Sequence, residues 1–175
     1  QIFLTFAPYV LILFYGADTS VIALLLAICA VFGMLLSPVI GILVDKLGYK
    51  TIMVADTLIL VVVCIMYGFA HRFFPMNIAF IVVCVNFVLD SIISLASMAT
   101  NVYVRDLSSS REELTATLTT GISVNHLISV LIALLGGYIW KTLGIEVLFS
   151  LSAILGVINS IYAATIKKPA ERTMF

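Results

Sequence analysis

Residues 41–50, with the sequence GILVDKLGYK, form a short charged segment between two long apolar runs. Gly41 permits two helices to approach closely, and Gly48 can adopt a positive φ that turns the chain. The charged side chains of this segment must stay outside the hydrocarbon core of a bilayer. They are Asp45, Lys46 and Lys50. We therefore expect two membrane-spanning helices to reverse direction here, with these charges at the membrane surface.

The composition of the whole chain is that of a membrane protein. Of the 175 residues, 63% are hydrophobic and only 10% are charged, and the mean hydropathy is +1.24. A soluble domain contains roughly 45–50% apolar and about 25% charged residues. The formal net charge of zero gives no support for binding to nucleic acid. We predict an integral, multi-pass protein of the cell membrane or the bacterial inner membrane.

Six apolar segments approach the length of about 20 residues that an α-helix needs to cross a bilayer. They cover roughly residues 1–16, 20–44, 51–70, 77–100, 113–140 and 147–166. The first segment is short, and Pro8 can kink it. The predicted fold is an all-α membrane protein, in which residues 1–175 form a single domain of six transmembrane helices.

Basic residues are distributed unevenly between the two predicted sides of the membrane. One side holds Lys46, Lys50, Arg105, Arg111, Lys167, Lys168 and Arg172. The other side holds only Arg72 and Lys141. Because cytoplasmic loops are enriched in Lys and Arg, we predict that the first side, which also carries both termini, is cytoplasmic.

No residue pattern predicts a metal site, a cofactor or an enzyme. Cys29, Cys64 and Cys84 all lie within apolar segments and lack the C-x-x-C spacing of zinc and redox sites. The chain also lacks the H-E-x-x-H motif of zinc proteases and the G-x-S-x-G motif of hydrolases. We therefore expect no catalytic residue, no bound metal and no cofactor.

The fourth apolar segment carries one stripe of polar side chains, which lies within an arc of roughly 80° if the segment is a continuous α-helix. Its members are Asn86, Asp90, Ser94, Ser97 and Asn101. A carboxylate near the middle of a span costs about 2.5–3.5 kcal/mol on insertion scales, so Asp90 is a candidate site for a proton or a cation. The alternative is an aspartate that is bonded to a neighbouring helix for structural reasons.

A weaker stripe follows the fifth segment, again within an arc of roughly 80°. Its members are Thr115, Thr119, Ser123, His126, Ala133 and Gly137. Asp90 and His126 are predicted to lie at nearly the same depth, where an acid and an imidazole could pair, relay a proton or bind a polar group of a substrate. The alternative for His126 is a hydrogen bond that only supports helix packing.

Three further features concern helix ends and helix packing. Ser110 followed by Glu113 fits a capping box at the start of the fifth helix. Asp56 is expected near the cytoplasmic surface, bonded to the loop at 45–50. Small residues four apart predict close helix contacts on three helices. They are Gly33, Ser37 and Gly41, then Ala133 and Gly137, and finally Ser152, Gly156 and Ser160.

The segment at 41–50 resembles motif A of the major facilitator superfamily, G-x-L-x-D-R/K-x-G-R/K-R/K. Tyr49 departs from the motif, because it replaces one of the two final basic residues. The resemblance implies that the six helices are one half of a transporter whose two halves bind substrate between them near the membrane midplane. It also implies that the first and fourth helices line the transport route. The second and fifth would contact the other half, and the third and sixth would lie outside.

The resemblance also assigns roles to individual charges. In this superfamily, loop charges pair with motif A to stabilise one transport state, which would make Asp45, Lys46 and Arg105 gating residues. Residues 77–100 lack the arginine of motif B, and the fifth segment lacks the Gly-Pro pair of the antiporter motif C. These two absences favour the C-terminal half of a transporter, whereas the close match to motif A favours the N-terminal half. On balance we expect the C-terminal half.

The leading functional prediction is a secondary active transporter of a small solute that works by alternating access and is coupled to protons. Candidate residues for the substrate and the proton are Asp90, His126, Asn86, Ser94, Ser97 and Ser123. The expected partners are a small-molecule substrate, a proton or another cation, the lipid bilayer and the other six-helix half. The alternative is a membrane scaffold or sensor that has the same fold but transports nothing.

Overall fold

The computed structural model describes residues 2–166, with side chains from residue 6 onward. The described chain is helical and contains no strand, so the all-α prediction is confirmed. The helices are α1 (Ile2–Tyr9), which continues as a π-helical turn (Val10–Phe14), α2 (Thr19–Leu47), α3 (Tyr49–Phe73), α4 (Met76–Ser94), α5 (Ser97–Leu107), α6 (Arg111–Leu143) and α7 (Ile145–Thr165). The basic residues Lys167, Lys168 and Arg172 lie outside the described residues.

Five stretches of the described chain are long and apolar enough to cross a membrane. They are α2, α3, α4 together with α5, α6 and α7. The helical stretch before them is shorter, with eight residues in α1 and five in the π-helical turn. Because short turns join the spans, consecutive spans run antiparallel.

The turns are shorter than the sequence predicts. The predicted loop at 45–50 is a single residue, Gly48, because α2 extends to Leu47 and α3 begins at Tyr49. Gly48 has φ = 80°, as expected, and its N–H donates to the Val44 carbonyl at 2.9 Å. Charged residues at the membrane surface can remain helical, and a helical backbone satisfies its own hydrogen bonds. The charges of the motif therefore lie on the last and first turns of two helices.

The predicted fourth helix, 77–100, is interrupted between α4 and α5, so the expectation of one continuous helix is wrong. The backbone N–H groups of Leu95 and Ala96 donate to carbonyls three residues earlier, at 3.1 and 2.8 Å, which is the tighter pattern of a 3₁₀ turn. The hydroxyl of Ser94 donates to the Ser91 carbonyl at 2.6 Å. It thereby takes the carbonyl that Leu95 would use in a continuous α-helix.

The start of α6 is capped as predicted. The backbone N–H of Glu113 donates to the Ser110 hydroxyl at 3.1 Å. The Glu113 carboxylate accepts a hydrogen bond from the backbone N–H of Ser109 at 2.8 Å, one residue before the position that the capping box predicts. The first bond satisfies a backbone donor that the first turn of a helix leaves without an intrahelical partner, and the second satisfies the N–H just before the N-cap residue.

The centre of the bundle is α3, and its most extensive contact is with α7. The rings of Tyr67 and Phe149 stack with their centroids 5.3 Å apart, and both side chains are fully buried. Gly68 allows this approach, since a Cβ there would lie 3.0 Å from the Cβ of Phe149. Gly156 has the same role further along α7, where a Cβ would lie 3.0 Å from Val61.

The most exposed spans are α2 and α6. In their most apolar 18-residue windows, 11% and 6% of the residues are buried, against 33% in α3 and in α7. The small residues divide accordingly. Ser152, Gly156 and Ser160 on α7 are buried, which agrees with their predicted helix contact. In contrast, a Cβ added at Gly33, Gly41 or Gly137 would meet no atom of the described residues within 4 Å, so these positions of α2 and α6 are open in the part of the chain that the structure describes.

Replacing Gly68 with valine is expected to destabilise the protein by about 1–3 kcal/mol, the usual cost of overpacking a well-packed core. Thermal unfolding of the intact protein in detergent measures the effect. Gly121→Val is the matched control, because it makes the same change in helix propensity on α6, where no neighbouring atom of the described chain lies within 4 Å. Equal melting temperatures for the two variants would show that the contact between α3 and α7 does not limit stability.

Candidate functional site

Asn86 connects α4 to α3. Its side chain is only 4% exposed, and its Nδ2 donates to the Val63 carbonyl at 3.0 Å. A buried amide needs such a partner, because an unpaired polar group in an apolar surrounding costs free energy. The predicted substrate candidate Asn86 therefore faces a neighbouring helix within this half.

Asp90 lies one helical turn beyond Asn86 on α4 and is half-buried. Its carboxyl is within electrostatic range of Asp56, Cys64 and Tyr67, which all belong to α3. Among the described residues, no hydrogen bond or ion pair to this carboxyl is formed. Asp90 thus faces α3 from the middle of a span without a described basic partner.

Asp56 is half-buried on α3, and the structure does not bring it to the turn after α2. The bond from Asn86 to Val63 sets the register between the antiparallel helices α4 and α3. At 1.5 Å per residue, Asp56 and Asp90 then differ in depth by about 5 Å, or one helical turn. The expected bond between Asp56 and the loop is not formed within residues 2–166. From the sequence, the depth of Asp56 can be judged only by its distance from the start of the helix. The contact of α3 with α4 near Asp56 cannot be predicted in this way.

The later members of the polar stripe do not share the face of Asn86. Ser94, Ser97 and Asn101 are exposed, whereas Asn86 is buried. The arc of roughly 80° assumes a continuous helix. The 3₁₀ turn between α4 and α5 has fewer residues per turn and rotates every residue that follows it. The turn rotates Ser97 and Asn101, which follow it, whereas Ser94 is the last residue of α4 and is already exposed before the turn. The stripe thus has an inward part at Asn86 and Asp90 and an open part from Ser94 onward.

The polar residues of α6 lie on an open face of this half. Thr115, Thr119, Ser123 and His126 are all exposed. The hydroxyls of Thr115 and Ser123 donate to carbonyls four residues earlier on α6, at 2.9 and 3.0 Å, so they need no partner from another helix. Within the described chain, His126 forms no hydrogen bond or ion pair. The structure does not join His126 to Asp90, because Asp90 faces α3.

The charged residues around the turn between α2 and α3 have no ionic partner in the part of the chain that the structure describes. They are Asp45, Lys46 and Lys50. Arg105 pairs with its neighbour Asp106 at 3.3 Å, and the two side chains are 64% and 37% exposed. Such an exposed pair contributes little to stability. The gating role of these charges stays a prediction from the resemblance.

A charged cluster that no sequence motif indicates lies at the opposite end of the bundle. The carboxylate of Glu146, at the start of α7, accepts two hydrogen bonds of 2.7 Å from Nε and Nη2 of Arg72. Nε2 of His71 lies 3.1 Å from the same carboxylate. A bidentate pair of this kind adds geometric specificity as well as energy, so it connects the end of α3 to the start of α7. The sequence contains one indication of this pair: Arg72 and Glu146 lie in two connections that are predicted on the same side of the membrane.

A cavity of about 290 Å³ lies beside this cluster. It is lined by Phe14, His71, Trp140, Leu143, Gly144, Ile145 and Glu146. The π-helical turn ends at Phe14, whose ring centroid lies 4.9 Å from that of His71. Both carboxylate oxygens of Glu146 are hydrogen-bonded to Arg72. The negative charge of Glu146 is therefore already paired and does not attract a cationic ligand into the cavity.

The fold and the charged turn define the class of protein: an integral membrane protein built as a bundle of apolar helices that are long enough to cross a bilayer. The sequence profile of the Major Facilitator Superfamily matches residues 1–173. The chain therefore belongs to this superfamily and is a transporter of the major facilitator type, which confirms the resemblance carried by residues 41–50. No curated protein and no solved structure matches the chain significantly.

Asn86→Ala is expected to lower the free energy of unfolding by about 1–3 kcal/mol, because it removes a buried hydrogen bond between two helices. Thermal unfolding of the intact protein measures the loss. Asn125→Ala is the matched control, since Asn125 is exposed on α6. If Asn86→Ala is as stable as the control but no longer transports, Asn86 serves the substrate and not the helix contact.

Proposed function

We propose that residues 1–175 form one six-helix half of a secondary active transporter that moves a small solute by alternating access with coupling to protons. The single observation that carries the coupling is the position of Asp90, which is half-buried in the middle of a span and lies within electrostatic range of Asp56 on α3. An ionisable side chain at this depth costs free energy, so its presence favours a functional role. No step of this cycle needs a cofactor or a catalytic residue.

The open faces of α2 and α6 support an interface with the second half of the transporter. Gly33 and Gly41 on α2 and Gly137 on α6 leave room for another helix. His126 is exposed on α6, forms no hydrogen bond or ion pair within the described chain, and would face lipid in the absence of a partner. Lipid offers no hydrogen bonds to such groups, whereas a second half and the water between the halves do.

The basic residues support an orientation with both termini in the cytoplasm. Lys46 and Lys50 flank the turn between α2 and α3, and Arg105 and Arg111 flank the connection between α5 and α6. The two connections lie on the same side, because two spans separate them. The positive-inside rule then assigns this side of the proposed transporter to the cytoplasm.

Asp90→Asn is expected to reduce uptake driven by a proton gradient at least about tenfold, because an amide side chain, unlike a carboxyl group, does not bind and release protons near neutral pH. The measurement uses proteoliposomes of the intact transporter under an imposed pH gradient, with labelled sugars, amino acids, organic anions and organic cations as probes. Asp18→Asn is the matched control, since Asp18 is exposed in the connection before α2. Gradient-driven uptake equal to that of the control would exclude Asp90 as the coupling site.

The scaffold or sensor remains the second candidate, because Asn86 is enclosed in a helix contact. In a variant without native cysteines, Ser94→Cys and Ser97→Cys are expected to react with a membrane-impermeant thiol reagent. Val85→Cys, on an exposed apolar position of α4, is expected to stay unreactive in lipid. Failure of both serine positions to react, combined with no uptake of any probe solute, would favour the scaffold or sensor.

A further inference from the structure

An aromatic contact occupies the place where motif A has a basic residue. Tyr49 is the first residue of α3, and it is only 8% exposed. Its ring centroid lies 5.2 Å from that of Tyr103 on α5, with an angle of 47° between the ring planes. Aromatic pairs at this distance contribute about 0.5–1.5 kcal/mol beyond the area that they bury.

The two tyrosines belong to a small apolar cluster that is separate from the main core of the bundle. The buried members of the small cluster are Val44, Tyr49, Ile52, Ala96, Ala99 and Ile166, and Tyr103 packs against them. The main core is built around α3, α4 and α7, with Val63, Tyr67 and Phe149 at its centre. Since Ala99 is the one buried residue within α5, the attachment of α5 to α3 depends on the small cluster.

Charges do not provide an alternative attachment for α5. Within residues 2–166, the ion pair that involves α5 joins two adjacent residues of the same helix, Arg105 and Asp106. Asp106 is within electrostatic range of the Tyr49 hydroxyl, and that hydroxyl is buried and forms no hydrogen bond in the described structure. A basic side chain at position 49 would have a carboxylate within range, whereas tyrosine makes an apolar contact instead.

The connection between α4 and α5 allows α5 to move as a separate short helix. The 3₁₀ turn at Leu95 and Ala96 interrupts the α-helical hydrogen bonds of the span. The Ser94 hydroxyl already occupies the Ser91 carbonyl. A change in the angle between α4 and α5 therefore breaks no α-helical hydrogen bond to that carbonyl.

We propose that the contact between Tyr49 and Tyr103 holds α5 against the start of α3 in one transport state, in place of an ionic contact of motif A. The contact opens when α5 turns about Leu95 and Ala96. Tyr49 and Tyr103 are therefore positioning residues, which act through the orientation of α5. The transport role rests on the proposed function, but the contact itself can be measured without any transported solute.

Hydrogen–deuterium exchange of the full-length protein in lipid nanodiscs tests the contact through the backbone amides of α5, residues 97–107. Tyr103→Ala is expected to accelerate their exchange about 2- to 10-fold, which corresponds to the loss of one aromatic pair. Tyr49→Phe retains the ring and removes the buried hydroxyl, so exchange is expected to stay at the wild-type rate or below it. Tyr138→Ala is the matched control, since Tyr138 is 69% exposed on α6.

The dependence of the exchange rate on salt concentration distinguishes an apolar contact from an ionic one. Raising NaCl from about 0.05 M to about 0.5 M shortens the screening length severalfold, but exchange in α5 of the wild type is expected not to change. Tyr49→Arg restores the basic residue of the motif beside Asp106, and its protection of α5 is expected to become salt-dependent. Salt-accelerated exchange in the wild type would overturn the proposal.

The proposal is also overturned if Tyr103→Ala leaves exchange in α5 at the level of Tyr138→Ala. Amides of α3 around Tyr67 report on the main core and show whether a variant is folded. If Tyr103→Ala loses protection there too, Tyr103→Leu decides the question, because it retains an apolar side chain without a ring. Faster exchange of α5 alone in Tyr103→Leu supports the contact, and an unchanged rate excludes it.

Discussion

The close packing of α3 against α7 is the contact on which the arrangement of the other helices depends. Tyr67 stacks on Phe149 at the centre, and Gly68 and Gly156 let the two helices approach. In a bilayer, apolar side chains gain little from leaving lipid, so dense packing of small residues provides much of the attraction between helices. The ion pair of Arg72 with Glu146 adds a polar connection at one end of the same helix pair.

This central pair leaves α2 and α6 at the surface of the half. Both helices carry small residues that contact nothing within the described part of the chain, and α6 also carries exposed polar side chains. The proposed second half would cover these two helix faces. The polar residues consequently fall into two groups. Asn86 and Asp90 face inward to α3, while Ser94, Ser97, Ser123 and His126 face outward.

The class of fold could be predicted from the sequence, because a composition with so few charges leaves no soluble alternative and helices alone satisfy their backbone in lipid. The positive φ of Gly48 could also be predicted. The lengths of the turns could not be predicted, because a charged residue indicates where the membrane surface lies and not where a helix ends. The depth of Asp90 follows from counting residues, but its orientation depends on which helices touch. The break after Ser94 depends on a single hydroxyl bond, which no hydrophobic period reveals.

The π-helical turn at the end of α1 affects how this chain should be compared with its relatives. It begins at Val10, two residues after Pro8, and a π turn contains an additional residue relative to an α turn. One additional residue shifts the angular phase of a helix by about 100°. In an alignment with a chain that is α-helical at this point, the absence of a gap between Pro8 and Phe14 would match Phe14 and Tyr15 to residues on a different side of the helix. Equivalent positions around the His71 cavity can be identified only after this offset is removed.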